Sequence, residues 1–99
     1  MTAPETLWKQ ARRLLRAERV GLLSTLSHKL GGYPFGSAVS CLTDHEARPL
    51  FLISQLAEHT RNIGQDARVS LLVHEQSADI QASERLTLVG KAVRVGTTE

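Results

Sequence analysis

Residues 20–42, VGLLSTLSHKLGGYPFGSAVSCL, contain the pattern that decides the fold class of this chain. Residues 20–26 are a mostly apolar run that predicts a buried strand, and residues 36–42 predict a second strand. The loop between them, residues 28–33, carries a Gly-Gly pair at residues 31–32, and paired glycines permit the positive φ angles of a hairpin. The stretch therefore predicts two antiparallel strands joined by a hairpin loop.

The pattern extends outward from this hairpin in both directions. Upstream, an apolar stripe at helical spacing predicts an amphipathic helix, with Thr2 and Glu5 as a capping box at its start. Downstream, the sequence predicts three more strands and a short helix, with Gly90 as a candidate β-bulge. The predicted ranges are strands over residues 49–53, 69–74 and 85–95, a helix over residues 57–66, and loops over residues 43–48 and 75–84. This order predicts an antiparallel meander that closes on itself or pairs with a second chain, because open strand edges invite aggregation.

Length and composition bound the class of protein. A chain of 99 residues, 41% hydrophobic and 22% charged, is one globular domain, and its small core would be extended by an obligate dimer. The net charge of +2 is too small to indicate a nucleic-acid partner. No apolar run approaches the roughly 18 residues of a membrane span, and no signal-peptide core is visible, so we expect a cytoplasmic protein without a membrane partner. The single Cys41 excludes an intramolecular disulfide and a multi-cysteine zinc site, and no metal site is predicted.

Residues 54–62, SQLAEHTRN, form the segment richest in chemistry. They leave a predicted strand and enter a predicted helix, where free backbone N–H groups and the helix dipole favour a phosphate. The hydroxyls of Ser54 and Thr60 can donate to phosphate oxygens, and His59 and Arg61 can add charge-assisted hydrogen bonds. The residues alone also fit an ordinary capped helix with a solvated polar face.

Residues 33–37, YPFGS, form a second candidate spot, where aromatic rings and an accessible backbone could face a flat ligand. A hairpin end with two core aromatics fits them as well. The sequence has no G-x-S-x-G elbow, no dinucleotide or P-loop motif, and no histidine pair at helical metal-binding spacing. It therefore identifies no catalytic residues. His74 ends a predicted strand, where a structural histidine is the default interpretation.

Four stretches together resemble the FMN-binding split-barrel superfamily, which includes pyridoxamine 5'-phosphate oxidase, and within it the branch of haem-utilisation proteins. They are residues 21–26 with 32–37, residues 52–62, residues 66–73 and residues 85–92, collinear over most of the chain. The resemblance implies a mainly β, α+β fold: an antiparallel split β-barrel with flanking helices. It also implies a homodimer that holds FMN at its interface.

The resemblance further implies which residues hold the cofactor. One group matches the strand whose backbone edges the isoalloxazine ring, a second matches the phosphate positions, and one residue matches a position that approaches the flavin from the other subunit. These are, in that order, Ser37, Ala38 and Val39; Ser54, His59 and Thr60, with Asn62 close by; and Arg85.

The function that this resemblance implies is that of an FMN-dependent oxidoreductase acting on a small-molecule redox substrate. One alternative is a haem-binding or haem-degrading protein on the same fold, with the exposed His28 or His45 ligating iron. Another is a non-enzymatic module that binds a flavin or other ligand, or mainly dimerises. Family members continue beyond the fifth strand with a helix and a strand that complete the barrel, and haem-utilisation relatives carry a further C-terminal domain. Residues 1–99 are therefore expected to form a single split-barrel domain that lacks those elements.

Overall fold

The computed structural model describes residues 4–95, apart from the side chains of Pro4, Glu5 and Ile80. Its elements are helix α1 (Pro4–Ala17), strands β1 (Val20–Leu26), β2 (Pro34–Thr43) and β3 (Pro49–Leu52), helix α2 (Glu58–Gln65), strand β4 (Arg68–His74), a 3-10 turn (Ile80–Ala82) and strand β5 (Arg85–Lys91). The strands form one antiparallel sheet in the order β3-β2-β1-β4-β5. This architecture confirms the predicted split-barrel fold class.

The hairpin between β1 and β2 has the geometry that its sequence predicts. Gly31 and Gly32 have φ angles of 71° and 88°, values that a residue with a Cβ rarely adopts. The backbone N–H of Ser27 donates to the Tyr33 carbonyl at 2.8 Å, and the Gly32 N–H donates to the Ser27 carbonyl at 2.7 Å. The Ser27 hydroxyl also accepts the Leu30 N–H at 2.9 Å. The loop is therefore fixed by its own hydrogen bonds and sets the register of the two strands.

One face of the sheet, here called the inner face, packs against the helices and holds the core. Leu23 on β1 and Val73 on β4 are fully buried, and α1 adds Leu14 and Leu15 to the same cluster. Ile63 of α2 packs against this cluster from the second helix. Each fully buried Leu or Val side chain contributes about 1.5–3 kcal/mol relative to exposure, so the helices are held chiefly by this apolar contact.

The opposite face, here called the outer face, is also rich in apolar residues but is exposed. Side chains alternate between the two faces along each strand, and the outer positions of β1 are exposed or half-buried where the inner ones are buried. Leu22 is 42% exposed, Leu52 is 72% exposed and Val89 is 84% exposed. Within residues 4–95, these three side chains therefore remain open to solvent to different degrees. The exposed large apolar residues of the outer face are Val20, Leu22, Leu42, Leu50, Leu52 and Val89.

Two predictions about the last strand are wrong. Strand β5 ends at Lys91 and not at Val95, because its partner β4 begins at Arg68, which pairs with Lys91. Gly90 is not a bulge, since it pairs with Val69 in an unbroken register. The proposed capping box of α1 lies outside the described residues. Neither of the two α-helices between residues 4 and 95 has the length and apolar composition needed to cross a bilayer.

Candidate cofactor site

The junction between β3 and α2 holds the predicted phosphate segment, and most of its polar groups bond to one another. The Thr60 hydroxyl donates to the Ser54 carbonyl, which also accepts the Ala57 N–H at 3.2 Å. The Ser54 hydroxyl oxygen accepts the Leu56 N–H at 3.1 Å. Thr60 therefore directs its proton back into the loop, and only Ser54 retains a hydroxyl proton for an incoming anion.

The start of α2 offers backbone donors to an anion, although one side chain opposes it. No side chain caps the helix at Ala57, and the N–H groups of Glu58 and His59 have no acceptor among the described residues. Such free N–H groups attract anions. The carboxylate of Glu58 lies in the first turn, however, and would repel a phosphate there.

One ring nitrogen of the half-buried His59 is closed off from solvent. Its Nε2 atom is buried and has no hydrogen-bond partner among the described residues. A buried polar atom without a partner is costly, so this ring is held by the packing around it. The arrangement gives His59 no outward-facing Nε2 with which to bind a ligand unless the side chain changes rotamer.

Asn62 lies beneath the junction and is fully buried. Its Nδ2 donates to the Thr25 hydroxyl oxygen at 3.0 Å, and its Oδ1 accepts the His28 N–H at 3.0 Å. The amide thus ties α2 to β1 and to the hairpin. Contact of Asn62 with a cofactor stays a prediction, and the geometry gives the side chain a structural role between α2, β1 and the hairpin.

Strand β2 has a backbone edge without a strand partner near this junction. Strand β3 pairs only with Ser40–Thr43, so β2 before Ser40 is unpaired on that side within the described chain. Hydrogen bonds from the Ser27 N–H to the Tyr33 carbonyl and from the Cys41 N–H to the Arg19 carbonyl show that odd-numbered β2 residues face β1. Because strand backbones alternate, the even-numbered Gly36 and Ala38 present their N–H and C=O groups at the free edge.

The three ring-edging candidates therefore differ in what they can offer. Val39 is buried in the inner face, and its backbone points toward β1, as does that of Ser37. Ala38 is exposed on the outer face, and its backbone lies at the free edge. Of the three, Ala38 is the residue that the structure leaves available to a planar ligand. Gly36, which lies in the predicted 33–37 spot, shares this free edge.

Arg85 lies far from the junction within one chain. It begins β5, at the opposite edge of the sheet from β3, and four strand spacings correspond to about 19 Å along the sheet. It is exposed and also borders a cleft of 480 Å³ formed with Leu7 and Trp8 of α1. The structure therefore places Arg85 and Ser54 at opposite edges of the sheet of one chain, and their joint contact with a cofactor stays a prediction.

The titratable groups with shifted pKa values lie away from this junction. The guanidinium of Arg68 donates to Asp66 at 2.6 and 3.0 Å and lowers the pKa of Asp66 to about 2. Burial raises the pKa of the Cys41 thiol. Residues 4–95 contain no group of three or more His, Cys, Asp or Glu side chains placed to hold a metal ion.

The comparison with known proteins gives the family. A family model described as CREG, beta-barrel matches residues 3–99. The chain belongs to the CREG beta-barrel family. This membership and the fold confirm the resemblance to the FMN-binding split-barrel superfamily.

Relatives at moderate identity lie in the haem-utilisation branch of this fold. The chain is 37% identical over 87 residues to the non-canonical heme oxygenase HOZ, chloroplastic, of Arabidopsis thaliana, covering 88% of this chain and 27% of that protein. A solved heme-binding protein of Mycobacterium smegmatis superposes with a TM-score of 0.81 at 32% identity, covering 98% of this chain and 39% of the other. The protein Atu2129 of Agrobacterium tumefaciens str. C58, of unknown function, gives a TM-score of 0.86 at 35% identity, covering 95% and 40%. The chain thus spans well under half of these three proteins.

Proposed function

We propose that this chain is a haem-binding protein that holds haem between two copies of its sheet. The observation that carries the proposal is the apolar, exposed outer face in a chain whose relatives include a heme-binding protein and a heme oxygenase. When bound, haem supplies an iron centre for oxygen or electron chemistry. The chain supplies an apolar surface, a ligand for the iron and cations for the propionates.

The outer face fits the ring of a porphyrin in chemical character. Leu22 and Val20 stand side by side in exposed strand positions, and the half-buried Leu72 lies directly opposite Leu22 on β4. An exposed apolar patch of this kind is typical of an interaction site. One face of a single sheet covers only one side of a planar ligand, so a second surface is needed to exclude water.

A second copy of the chain is the proposed source of that surface. This chain leaves the outer-face residues Leu52 and Val89 more than two-thirds exposed. Burying both outer faces against each other would complete the core of a homodimer and enclose the ligand.

FMN is the second candidate ligand. It is favoured by the free backbone edge at Gly36 and Ala38, which suits the polar rim of a flavin ring, and by the free N–H groups at the start of α2. It is disfavoured because the Thr60 hydroxyl already donates to the Ser54 carbonyl and because the Glu58 carboxylate lies in the first turn of α2. In that case the chain would act as a flavin-dependent oxidoreductase, with the flavin carrying the redox step.

Parallel titrations distinguish the two ligands. The purified chain is mixed with hemin or with FMN, desalted and examined by absorption spectroscopy, and its mass is measured by sedimentation equilibrium. We expect a retained Soret band and a dimer. Retained flavin bands without a Soret band would replace haem by FMN. A protein that is colourless after both titrations would bind neither ligand, and the remaining candidate would be a module that mainly dimerises.

Two charge substitutions test the role of the outer face. Leu22→Glu introduces a carboxylate on the outer face, whereas Leu30→Glu places one at a similarly exposed site in the hairpin loop. We expect Leu22→Glu to produce monomers and to lose the Soret band, and Leu30→Glu to behave as the unmodified chain. Haem binding that survives in a Leu22→Glu monomer would contradict the interface. Loss of the Soret band under ascorbate and air would identify haem degradation, and a stable band would identify binding alone.

A further inference from the structure

We infer that His74 ligates the haem iron and that Arg85, directly opposite it in the β4–β5 register, pairs with a haem propionate. This inference rests on the proposed haem-binding function and assigns its ligands. It concerns a histidine at the end of β4 that the sequence alone marks only as a structural residue.

The hydrogen bond of His74 fixes which ring nitrogen can bind a metal. Its Nδ1 lies 2.9 Å from the carbonyl oxygen of Glu75. A carbonyl can only accept, so Nδ1 carries the proton and donates it. In the neutral ring the lone pair is then on Nε2, and such an Nδ1–H to carbonyl bond is the usual way in which proteins orient a metal-ligating histidine.

The Nε2 atom of His74 is also reachable. It makes no hydrogen bond within residues 4–95. Among the described side-chain polar atoms, the one that is fully buried without a partner is Nε2 of His59. Nε2 of His74, which also lacks a partner, is therefore not fully buried. His74 is half-buried overall, so its Nε2 combines a fixed direction with access from outside.

The other three histidines lack this combination. His59 has its Nε2 sealed inside the fold. His28 and His45 are exposed in loops, and the structure gives their rings no hydrogen bond that fixes a tautomer. A free loop histidine must lose more side-chain freedom on binding than one already held.

The surroundings of His74 match the other parts of a haem. Val20 and His74 each lie two residues beyond the last β1–β4 pair, Leu22 with Leu72, and so belong to the outer face of neighbouring strands. Val20 is 55% exposed there. On the other side Arg85 is exposed and forms no salt bridge in the part of the chain described. Three neighbouring strands thus offer one group for each part of a haem. Val20 would contact the porphyrin ring, His74 the iron and Arg85 a propionate carboxylate.

The test for His74 is haem titration of the full 99-residue chain and its His74→Ala variant, read by absorption and electron paramagnetic resonance. His28→Ala and His45→Ala are the matched controls, because they remove the other two histidines that solvent reaches. We expect His74→Ala to weaken haem affinity by about tenfold or more and to lose the histidine-ligated spectrum. Added imidazole should restore that spectrum, and His74→Tyr should replace it with that of a phenolate ligand.

The test for Arg85 compares haem with its dimethyl ester. Arg85→Gln should weaken binding of haem about tenfold while leaving the ester unchanged, because a charge-assisted bond to a carboxylate is lost. Lys91→Gln, at the other end of the same strand and face, should change neither. An equal loss of affinity for haem and for its dimethyl ester would show that Arg85 does not pair with a propionate.

The outcomes separate this inference from the proposed function. If the unmodified chain binds no haem, the proposed function fails. If it binds haem and His74→Ala keeps the same spectrum, His74 is not the ligand although the chain is still a haem-binding protein. Circular dichroism checks that His74→Ala is folded. If it is not, His74→Gln is measured in its place, and an unchanged spectrum there overturns the inference equally.

Discussion

Replacing Asn62 by alanine should destabilise the fold without touching the apolar core. The side chain is fully buried and makes two hydrogen bonds of 3.0 Å, one to Thr25 and one from the His28 N–H. A net intramolecular hydrogen bond is worth about 1 kcal/mol, and a stranded buried partner adds about 1–3 kcal/mol. We therefore expect Asn62→Ala to lower the free energy of unfolding by about 2–4 kcal/mol.

The measurement is urea denaturation followed by far-UV circular dichroism, at one fixed protein concentration because dimerisation contributes to apparent stability. Thr25→Val is the matched variant, since it removes the same hydrogen bond from the other side while keeping the volume. The double variant should show a coupling energy of about 1 kcal/mol between the two sites.

A loss smaller than about 0.5 kcal/mol for Asn62→Ala would refute the reasoning. It would mean that water replaces the amide at no cost, and hence that α2 is not held to β1 by this residue. A large loss for Asn62→Ala with no coupling to Thr25→Val would instead assign the stability to the bond from His28.

Two further predictions concern the strands and the loop before β4. A methyl group on Gly21 would lie 2.7 Å from the Cδ1 atom of the buried Leu71, so Gly21→Ala should cost about 1–3 kcal/mol. Gly90→Ala, with no atom within 4 Å of the added Cβ, should not cost stability, and an equal loss at both sites in the same urea assay would contradict this explanation. Because Arg68 lowers the folded pKa of Asp66 to about 2, below its ordinary value of 3.8, this carboxylate contributes stability above about pH 4 that disappears as the pH falls toward 2. Asp66→Asn should reduce the pH dependence of the free energy of unfolding between about pH 4 and pH 2. An unchanged pH dependence in that range would show that the Asp66–Arg68 pair contributes nothing to stability.

The positions of the first strand and of the hairpin could be predicted from residue types close together in the sequence. Residues 20–26 form β1 with the predicted bounds, and the two hairpin glycines have the positive φ angles that their sequence indicates. Both are local properties, set by side-chain branching and by the absence of a Cβ. The same logic failed beyond Lys91, because the length of β5 depends on where its distant partner β4 begins.

The candidate site was only partly readable. Segment 54–62 does join a strand to a helix, but which of its groups are free depends on the bonds that the folded loop makes. The Thr60 hydroxyl and the His59 ring look available in the sequence. The fold engages the first in a hydrogen bond to the Ser54 carbonyl and buries Nε2 of the second. A hydroxyl or an imidazole is equally polar in both situations, so residue type cannot distinguish them.

The sequence by itself determined the element order and the hairpin, because turn residues and apolar periodicity depend on residues close together in the chain. It also determined the family resemblance, because the matching motifs can be read directly from the order of the residues. Only the tertiary structure decided which apolar residues are covered. Leu22 and Leu23 are neighbours of the same type, yet Leu22 is 42% exposed and Leu23 is fully buried. Successive side chains of a strand point to opposite faces, and the helices pack on the face that holds Leu23. The outer face and its His74–Arg85 pair follow from that choice of face and from the register, which depend on contacts between residues far apart in sequence.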